Sequence, residues 1–479
     1  MRVSWRGPIS SGEPAGAAAA GGLAAEPERA GGAARRRFGR LVSSRLLRRA
    51  ASGAVWSVLG QVTARVLTLV GSILVARQLG VTGFGEYSLV LVTVGMFQNI
   101  AGFGLVTTST KYLAGSYRAD PAAAGHVVAL ARAVAVGTGV VAMLGVAVAT
   151  PWLARDVLDA PQLERTLLVG SALLLFGPIF GAQLGVLTGL ERFRLIAVLS
   201  AVVALVTIPL VVAGAAAGGT TGCVAGLVAS VALSSALHAG ATRLALRDAG
   251  IAPRWRGALR ERRVLLAYSL PTTLSNVLLG VVTWASSAVL AHEPGGLDAL
   301  GLFGAANQWR NGIVLVATAA GAALLPLFAD LHDSGRGRAL RRAFWTSFAA
   351  SGAACLVVAG GVVLAAPTIV RAYGAGFAGA AAVLVLLASA GALAAPLTIA
   401  GNAIAGAGRM WLSLALKVAW GGTLLALAYA LRSEGALGLA VAHVAALGVH
   451  LLLSAGAAAA LLRRTERERA APAVEGFGG

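Results

Sequence analysis

Two arginines stand where a cation is expensive. Arg65 falls about midway along the first long apolar run, and Arg310 lies about ten residues into the eighth. An arginine at the centre of a bilayer costs roughly 2.5–3.5 kcal/mol on insertion scales, so it normally faces a wet cavity or a partner. No Asp or Glu lies deep in any of these runs; Glu86 and Asp330 sit at ends. A bound anion would supply the missing countercharge. Polar residues around the two arginines fall on shared helix faces. Ser57, Gln61, Arg65, Thr68 and Ser72 recur at steps of three and four, as do Thr273, Asn276, Gly280, Thr283 and Ser287. Asn307, Arg310 and Asn311 share a third face. Asn99 shares a fourth with Ser88, Gly95 and Gly102. The chemistry these residues offer is anion binding in a central cationic cavity, with Arg65 and Arg310 as charge and Gln61, Asn276, Asn307, Asn311 and Asn99 as polar lining. Stripes of this kind also bond membrane helices together, and for Ser and Thr that packing role is the stronger reading.

Arg132 and Lys417 are secondary sites. Each is only about seven residues from one end of its run, so a long stem can carry the charge to the interface. The six histidines form no metal-ligand spacing. The two cysteines, Cys223 and Cys355, lie in apolar runs and read as small core residues. No metal or cofactor is implied. Pro178, Pro209, Pro271, Pro326, Pro367 and Pro396 lie in or beside apolar runs, where proline kinks or hinges a helix.

The elements that must position these residues are membrane spans. The chain of 479 residues is 57% hydrophobic and 12% charged, about half the charged fraction of a soluble domain, and its mean hydropathy is +0.80. Residues 195–242 contain no charged side chain. Runs of about twenty such residues match the hydrocarbon thickness, and backbone in lipid must be helical. Twelve spans are expected, near 52–75, 84–106, 125–149, 166–188, 194–214, 220–242, 265–290, 300–327, 344–366, 378–400, 411–431 and 436–461. The segment from Thr108 to Ala114 reads as an amphipathic surface helix.

Charge placement sets the topology. Arg77, Arg155, Arg165, Arg371 and Arg432 fall in the short loops of one side. Apart from the four in-span cations, the rest of the 39 basic residues fall on the other. The positive-inside rule then puts both termini in the cytosol. The net charge of +20 is topology charge, not a nucleic-acid footprint, because no aromatic-interleaved basic patch accompanies it. The expected organisation is a basic tail over 1–50, read as disordered and cytosolic, and a first six-span lobe over 51–242. A basic cytosolic linker follows over 243–264, then a second lobe over 265–462 and a cytosolic tail over 463–479.

The lobes repeat. Gly85-Glu86-Tyr87-Ser88 matches Gly301-Leu302-Phe303-Gly304, and Gly189-Leu190-Glu191-Arg192 matches Gly406-Ala407-Gly408-Arg409, at offsets of 216 and 217. Six spans is an even number, so the copies share an orientation. Parallel repeats of this kind are related by an axis along the membrane normal, with the substrate site between them. Spans one, two, seven and eight would line it.

At these motifs the chain resembles the oligosaccharide flippase family of bacterial polysaccharide export, in the superfamily that also holds multidrug and toxin extrusion (MATE) transporters. Leu79-Gly80 through Ser88, Lys111-Tyr112-Leu113-Ala114, Gly189 through Phe193, Gly301 through Ala306 and Ala405 through Arg409 carry the resemblance, which spans residues 50–462. It implies an all-α polytopic MATE-like fold of about twelve spans in two pseudo-symmetric six-helix lobes, working by alternating access. It implies a cargo of undecaprenyl-diphosphate-linked oligosaccharide, moved across a bacterial plasma membrane, with Arg65 and Arg310 on the diphosphate and polysaccharide polymerase machinery as a partner. Family members often carry an Asp in span seven, where this chain reads Trp284-Ala285-Ser286-Ser287; that departure weakens the carry-over of a carboxylate-coupled ion mechanism and leaves an ion gradient, the membrane potential or downstream consumption of the sugar as energy sources.

Three other classes compete. A MATE-type drug or cation antiporter would want buried acids and aromatic faces, and the expected cleft has the opposite charge. A membrane glycosyltransferase or polymerase would want paired carboxylates or a large outer loop, and the outer loops are short. A scaffold with no transport at all is the remaining reading. The expectation is a transporter and not an enzyme.

Overall fold

The computed structural model describes residues 28–102, 104–116, 120–255, 262–322, 324–334 and 336–470. Side chains are described from 56 to 463, apart from 57, 103, 111, 115–119, 256–275, 319, 320, 322, 323, 325, 326, 333 and 335. Of the tails expected over 1–50 and 463–479, residues 1–27 and 471–479 lie outside the described residues. So do residues 256–261 of the expected linker and the side chains of Ser57, Lys111, Thr273, Pro271 and Pro326.

Every regular element among the described residues is helical. The first half holds α1 (Glu28–Ala101), α2 (Leu105–Ser116), α3 (Pro121–Trp152), α4 (Glu164–Ser171), α5 (Leu173–Gly189) and α6 (Phe193–Asp248). The second holds α7 (Arg262–Ala291), α8 (Gly296–Ala322), α9 (Leu324–Asp333), α10 (Gly337–Leu364) and α11 (Ala366–Tyr373). It continues with α12 (Ala380–Ala392), α13 (Ala394–Gly406), α14 (Met410–Ala430) and α15 (Gly435–Ala470).

Among the described residues eight helical stretches are long and apolar enough to cross a membrane by themselves. Two of them are double. Gly80 leaves helical geometry inside α1 (φ 70°), and Gly218 and Gly219 do so inside α6, so each comprises two arms. With α7 and α8 these arms complete a twelve-span, all-α, multi-pass membrane protein. Val148, Leu364 and Trp411 are each more than four-fifths exposed, which suits side chains whose solvent is lipid.

The halves repeat in their turns as well as their motifs. Gly80 (φ 70°) is matched by Gly295 (φ 73°), Glu191 (57°) by Gly408 (70°) and Gly219 (57°) by Gly435 (61°), each pair 215–217 positions apart. Positive φ is confined to a few turns, so three such pairs at nearly the same offset fit a structural duplication. Within the first half α2 and α3 pack on α5, and α5 on α6. Within the second, α12 packs on α8, and α13 and α14 pack on α15.

The two arms of α6 touch backbone to backbone. A Cβ on Gly222 would stand 2.0 Å from the Gly214 carbonyl oxygen, and one on Gly214 would stand 2.2 Å from that of Gly222. Gly222→Leu is therefore expected to cost roughly 1–3 kcal/mol of overpacking, read as a lowered thermal midpoint in detergent. Gly360→Leu, with open space around it, is expected to match wild type. Equal midpoints for the two variants would contradict this packing.

The surface helix expected at Thr108 to Ala114 proves to be more deeply packed. In α2, Thr108 and Leu113 have no exposed surface and Ser109 is 1% exposed. Gly185 and Gly189 of α5 let it approach closely: a Cβ on Gly185 would stand 2.7 Å from the Val106 carbonyl, and one on Gly189 would stand 2.7 Å from Leu113 Cβ. In the second half, Gly406 of α13 lies against Phe328 and Ala329 of α9 in the same way.

Candidate functional site

The halves meet first through glycine. A Cβ on Gly85 in the second arm of α1 would stand 1.8 Å from the Leu297 carbonyl oxygen, and one on Gly301 in α8 would stand 2.1 Å from that of Val81. These contacts are equivalents exchanged by the repeat, since Gly85 and Gly301, like Val81 and Leu297, are 216 positions apart. Thr82 donates to Asp298 Oδ1 at 2.5 Å, again with a separation of 216. Ser88 lies against Gly304, its own counterpart. A pseudo-two-fold axis therefore runs between the second arm of α1 and α8. Further bonds join the halves at the same end: Ser72 Oγ and Tyr373 OH lie 2.9 Å apart, and Arg77 Nε donates to the Ala372 carbonyl. Phe84, Tyr373 and Phe377 pack ring against ring beside them. This end is sealed.

Away from that seal the first arm of α1 and α8 part around a cleft of about 460 Å³, lined by Gln61, Arg65, Thr68, Asn311, Leu315 and Thr318 among others. Arg65 is 15 residues from Gly80, about 22 Å along a helix, which puts it past the middle of a hydrocarbon core of about 30 Å. Its guanidinium lies against Gly312, where the absence of a side chain leaves it room. Nη2 donates to Gln308 Oε1 at 3.3 Å, and the buried Nε has no hydrogen-bond partner among the described residues. No carboxylate lines the cleft. The nearest acids along α1 and α8 are engaged elsewhere: Glu86 accepts from Thr220 Oγ1 at 2.7 Å, and Asp298 from Thr82. Such a cation has spare donors and no countercharge, the arrangement that binds phosphate or carboxylate oxygens.

The other residues expected in one cavity are spread over three places. Asn311 and Gln61 join Arg65 in the cleft. Arg310 turns to the neighbouring side of α8, where its Nε donates to Asn307 Oδ1 at 2.8 Å. It lies within electrostatic reach of His443 on α15, whose ring packs against Phe303 with centroids 5.1 Å apart. Asn99 rests on Gly280 of α7, and the exposed Asn276 stands one turn away on the same helix. Trp284 Nε1 donates to Thr93 Oγ1 at 3.2 Å across this contact. Arg132 of α3 interacts with Arg243 of α6, and Lys417 of α14 with His450 of α15, and neither Arg132 nor Lys417 lines the cleft.

A second cavity, of about 330 Å³, lies within the first half between α1, α5 and α6. Ala64 and Thr68 line both spaces, and Gln308 lines this one while accepting from Arg65. The sequence reading missed Gln308, Ser200, Thr207 and His238 here. The signal was present as helical spacing (Ser200 with Thr207, Ser234 with His238), but in runs otherwise so apolar it reads as helix packing.

A family of proteins described as "Polysaccharide biosynthesis protein" matches residues 50–332. No curated protein matches the chain. Among solved structures the fold is shared with a multidrug resistance MATE family transporter of the MOP superfamily. Its inward-facing conformation gives a TM-score of 0.65 at 18% identity, over 84% of this chain and 96% of that one. An outward-facing structure likewise described as of a multidrug resistance MATE family transporter gives 0.61 at 17%, over 86% and 95%. A MOP superfamily transporter from Pyrococcus furiosus, described as having a binding pocket of reverse polarity that suggests a different function, gives 0.62 at 16%, over 86% and 95%.

Proposed function

The chain belongs to the polysaccharide biosynthesis protein family, and from that premise we propose that it is a flippase for polyprenyl-diphosphate-linked oligosaccharide. The single observation that carries the reading is Arg65: a half-buried guanidinium in an open interlobe cleft, with an unpartnered Nε and no carboxylate nearby. A diphosphate supplies the missing acceptors, and its charge favours a basic over an acidic cleft. Arg310, with Asn307 bonded to it, is a second cation at similar depth, 14 residues from Gly296 and so about 21 Å along the helix. A shift of the halves about the pseudo-two-fold axis would bring it toward the same ligand. Asn99 and Asn276 would meet sugar hydroxyls at the α1–α7 contact, while Arg132 and Lys417 are assigned to topology or helix packing.

The distribution of basic residues supports an orientation with the sealed end outside, the cleft toward the cytosol and both termini cytosolic. Cargo would then load from the cytosolic leaflet of a bacterial inner membrane, and the prenyl chain would stay in lipid. A polymerase on the outer face would be the consumer of the flipped sugar. A drug antiporter of the same fold fits less well, because an organic cation entering this cleft meets Arg65 with no acid to offset it.

The reading is tested with the purified chain in proteoliposomes containing a fluorescent polyprenyl diphosphate oligosaccharide. Quencher-protected probe is expected to become accessible at a rate above protein-free vesicles. A rate equal to that of protein-free vesicles, with transport of an organic dye cation instead, would overturn it.

A further inference from the structure

The second cavity is lined by apolar side chains and neutral polar groups, one of them a buried acceptor without a partner among the described residues. His238 in the second arm of α6 is 1% exposed. Its Nδ1 stands 2.9 Å from the Ser234 carbonyl. A carbonyl only accepts, so Nδ1 carries the proton and Nε2 is left with a lone pair. That Nε2 is buried and has no partner among the described residues, although the ring is held edge-on against Phe180 with centroids 4.8 Å apart. A buried polar atom without a partner marks a place where a ligand or water belongs.

Three of the hydroxyls around it give their protons to their own helices. Thr68 donates to the Ala64 carbonyl at 2.8 Å, Ser72 to that of Leu69 at 2.8 Å and Thr207 to that of Val203 at 2.7 Å. Each hydroxyl proton is thus held by its own helix, while Ser72 also accepts from the Tyr373 hydroxyl and Thr207 from that of Ser230, so each of these two oxygens keeps at most one lone pair for a ligand. Gln308 is the exception: its Oε1 accepts from Arg65, which leaves its amide N–H groups to donate. The remaining lining is aliphatic, with the Tyr87 and Phe180 rings. The titratable and charged side chains around the space are few. Tyr87 on the second arm of α1 and His238 on α6 line it, and Arg65 stands at its mouth on Gln308.

A neutral ligand whose hydroxyls both donate and accept, and which carries an apolar C–H face, suits this mixed lining. A cation would also find acceptors but would meet the Arg65 guanidinium at the mouth. A volume of about 330 Å³ is at the small end of ligand sites, which run from roughly 300 to 1,000 Å³, and suits one or two rings rather than a long chain. Resting on the flippase reading, we propose that this cavity is a sugar subsite in which His238 Nε2 accepts a hydroxyl of an uncharged sugar next to the diphosphate held by Arg65. His238 is then a specificity-determining residue for the sugar, separate from the site that holds the charge.

The test uses the full chain in lipid nanodiscs and two probes, undecaprenyl diphosphate and undecaprenyl diphosphate bearing one neutral hexose, with affinities read by native mass spectrometry. Wild type is expected to bind the hexose-bearing lipid about tenfold more tightly, the worth of one or two hydrogen bonds. His238→Leu is expected to erase that preference while binding bare undecaprenyl diphosphate as before, and Arg65→Ala to weaken both lipids. Ser200→Leu, which fills the cavity from α6's first arm, is a second route to the same loss if His238→Leu folds poorly. A preference retained by both cavity variants, or a wild type that binds the two lipids equally, overturns the subsite and leaves the flippase reading standing. A wild type that binds neither lipid removes both.

Discussion

Arg65→Ala is expected to lower the rate of lipid-linked sugar transfer by about 30- to 1,000-fold without lowering the amount of protein in the membrane. The magnitude follows from losing a charge-assisted, partly desolvated contact, worth about 2–4 kcal/mol, at tenfold per 1.4 kcal/mol. The second half of the expectation separates function from folding. Among the described residues Arg65 has one hydrogen bond, at 3.3 Å to Gln308, and a buried Nε without a partner. An in-span cation so poorly satisfied is a liability to the empty protein, so its removal should leave thermal stability equal or raised. A purely structural arginine would behave the other way, with stability and transport falling together. Arg65→Lys keeps the charge but not the planar fork, and is expected to fall between wild type and Arg65→Ala. Flipping rates in proteoliposomes, normalised to reconstituted protein, check all three. Wild-type transfer by Arg65→Ala would refute the role.

Gly85→Ala is expected to open the sealed end. Even the smallest side chain would place a carbon 1.8 Å from the Leu297 carbonyl oxygen and 3.0 Å from the Gly301 nitrogen, and both of those atoms are backbone. The second arm of α1 and α8 must then separate. Overpacking of this kind costs roughly 1–3 kcal/mol. Because only the sealed state makes the contact, the cost falls on that state and shifts the balance toward the open one by about 5- to 150-fold. The pseudo-two-fold axis adds a sharper demand. Gly301→Ala would meet the Val81 carbonyl at 2.1 Å and is expected to produce the same shift. Both native cysteines, Cys223 and Cys355, have no exposed surface, so a single cysteine at Val81 can be read against a low background. Its labelling by a membrane-impermeant maleimide from outside should accelerate at least tenfold in both glycine variants. Unchanged labelling, or acceleration in one variant alone, would contradict the symmetric seal.

Much of this architecture was legible in the residues. Twelve spans follow from where charge is absent, because lipid leaves a chain few alternatives to helix. The repeat was visible in Gly85 through Ser88 and Gly301 through Gly304. The structure turns that resemblance into a physical contact between the two copies. What the sequence left open is rotation about each helix axis. Asn307, Arg310 and Asn311 lie within one broad face by spacing, yet Asn311 lines the cleft while Arg310 and Asn307 bond to each other on its flank. Neighbouring helices set that rotation, and a single helix carries no record of it. The same limit explains α2. Thr110 looks like a surface residue, but its hydroxyl donates to the Val106 carbonyl and lies 3.2 Å from that of Gly185, so the helix can pack closely on the glycines of α5. It also explains the second cavity, whose hydroxyls come from several helices and converge only on folding.

The central claim is that the cleft at Arg65 binds a diphosphate-linked glycolipid, and mass spectrometry of lipids that co-purify with the detergent-extracted chain tests it most directly. Wild type is expected to carry a polyprenyl diphosphate glycolipid that the Arg65→Ala, Arg310→Ala double variant has lost, with both proteins equally folded. A wild type that carries no such lipid and holds an organic cation instead would contradict the account and return the two arginines to helix packing.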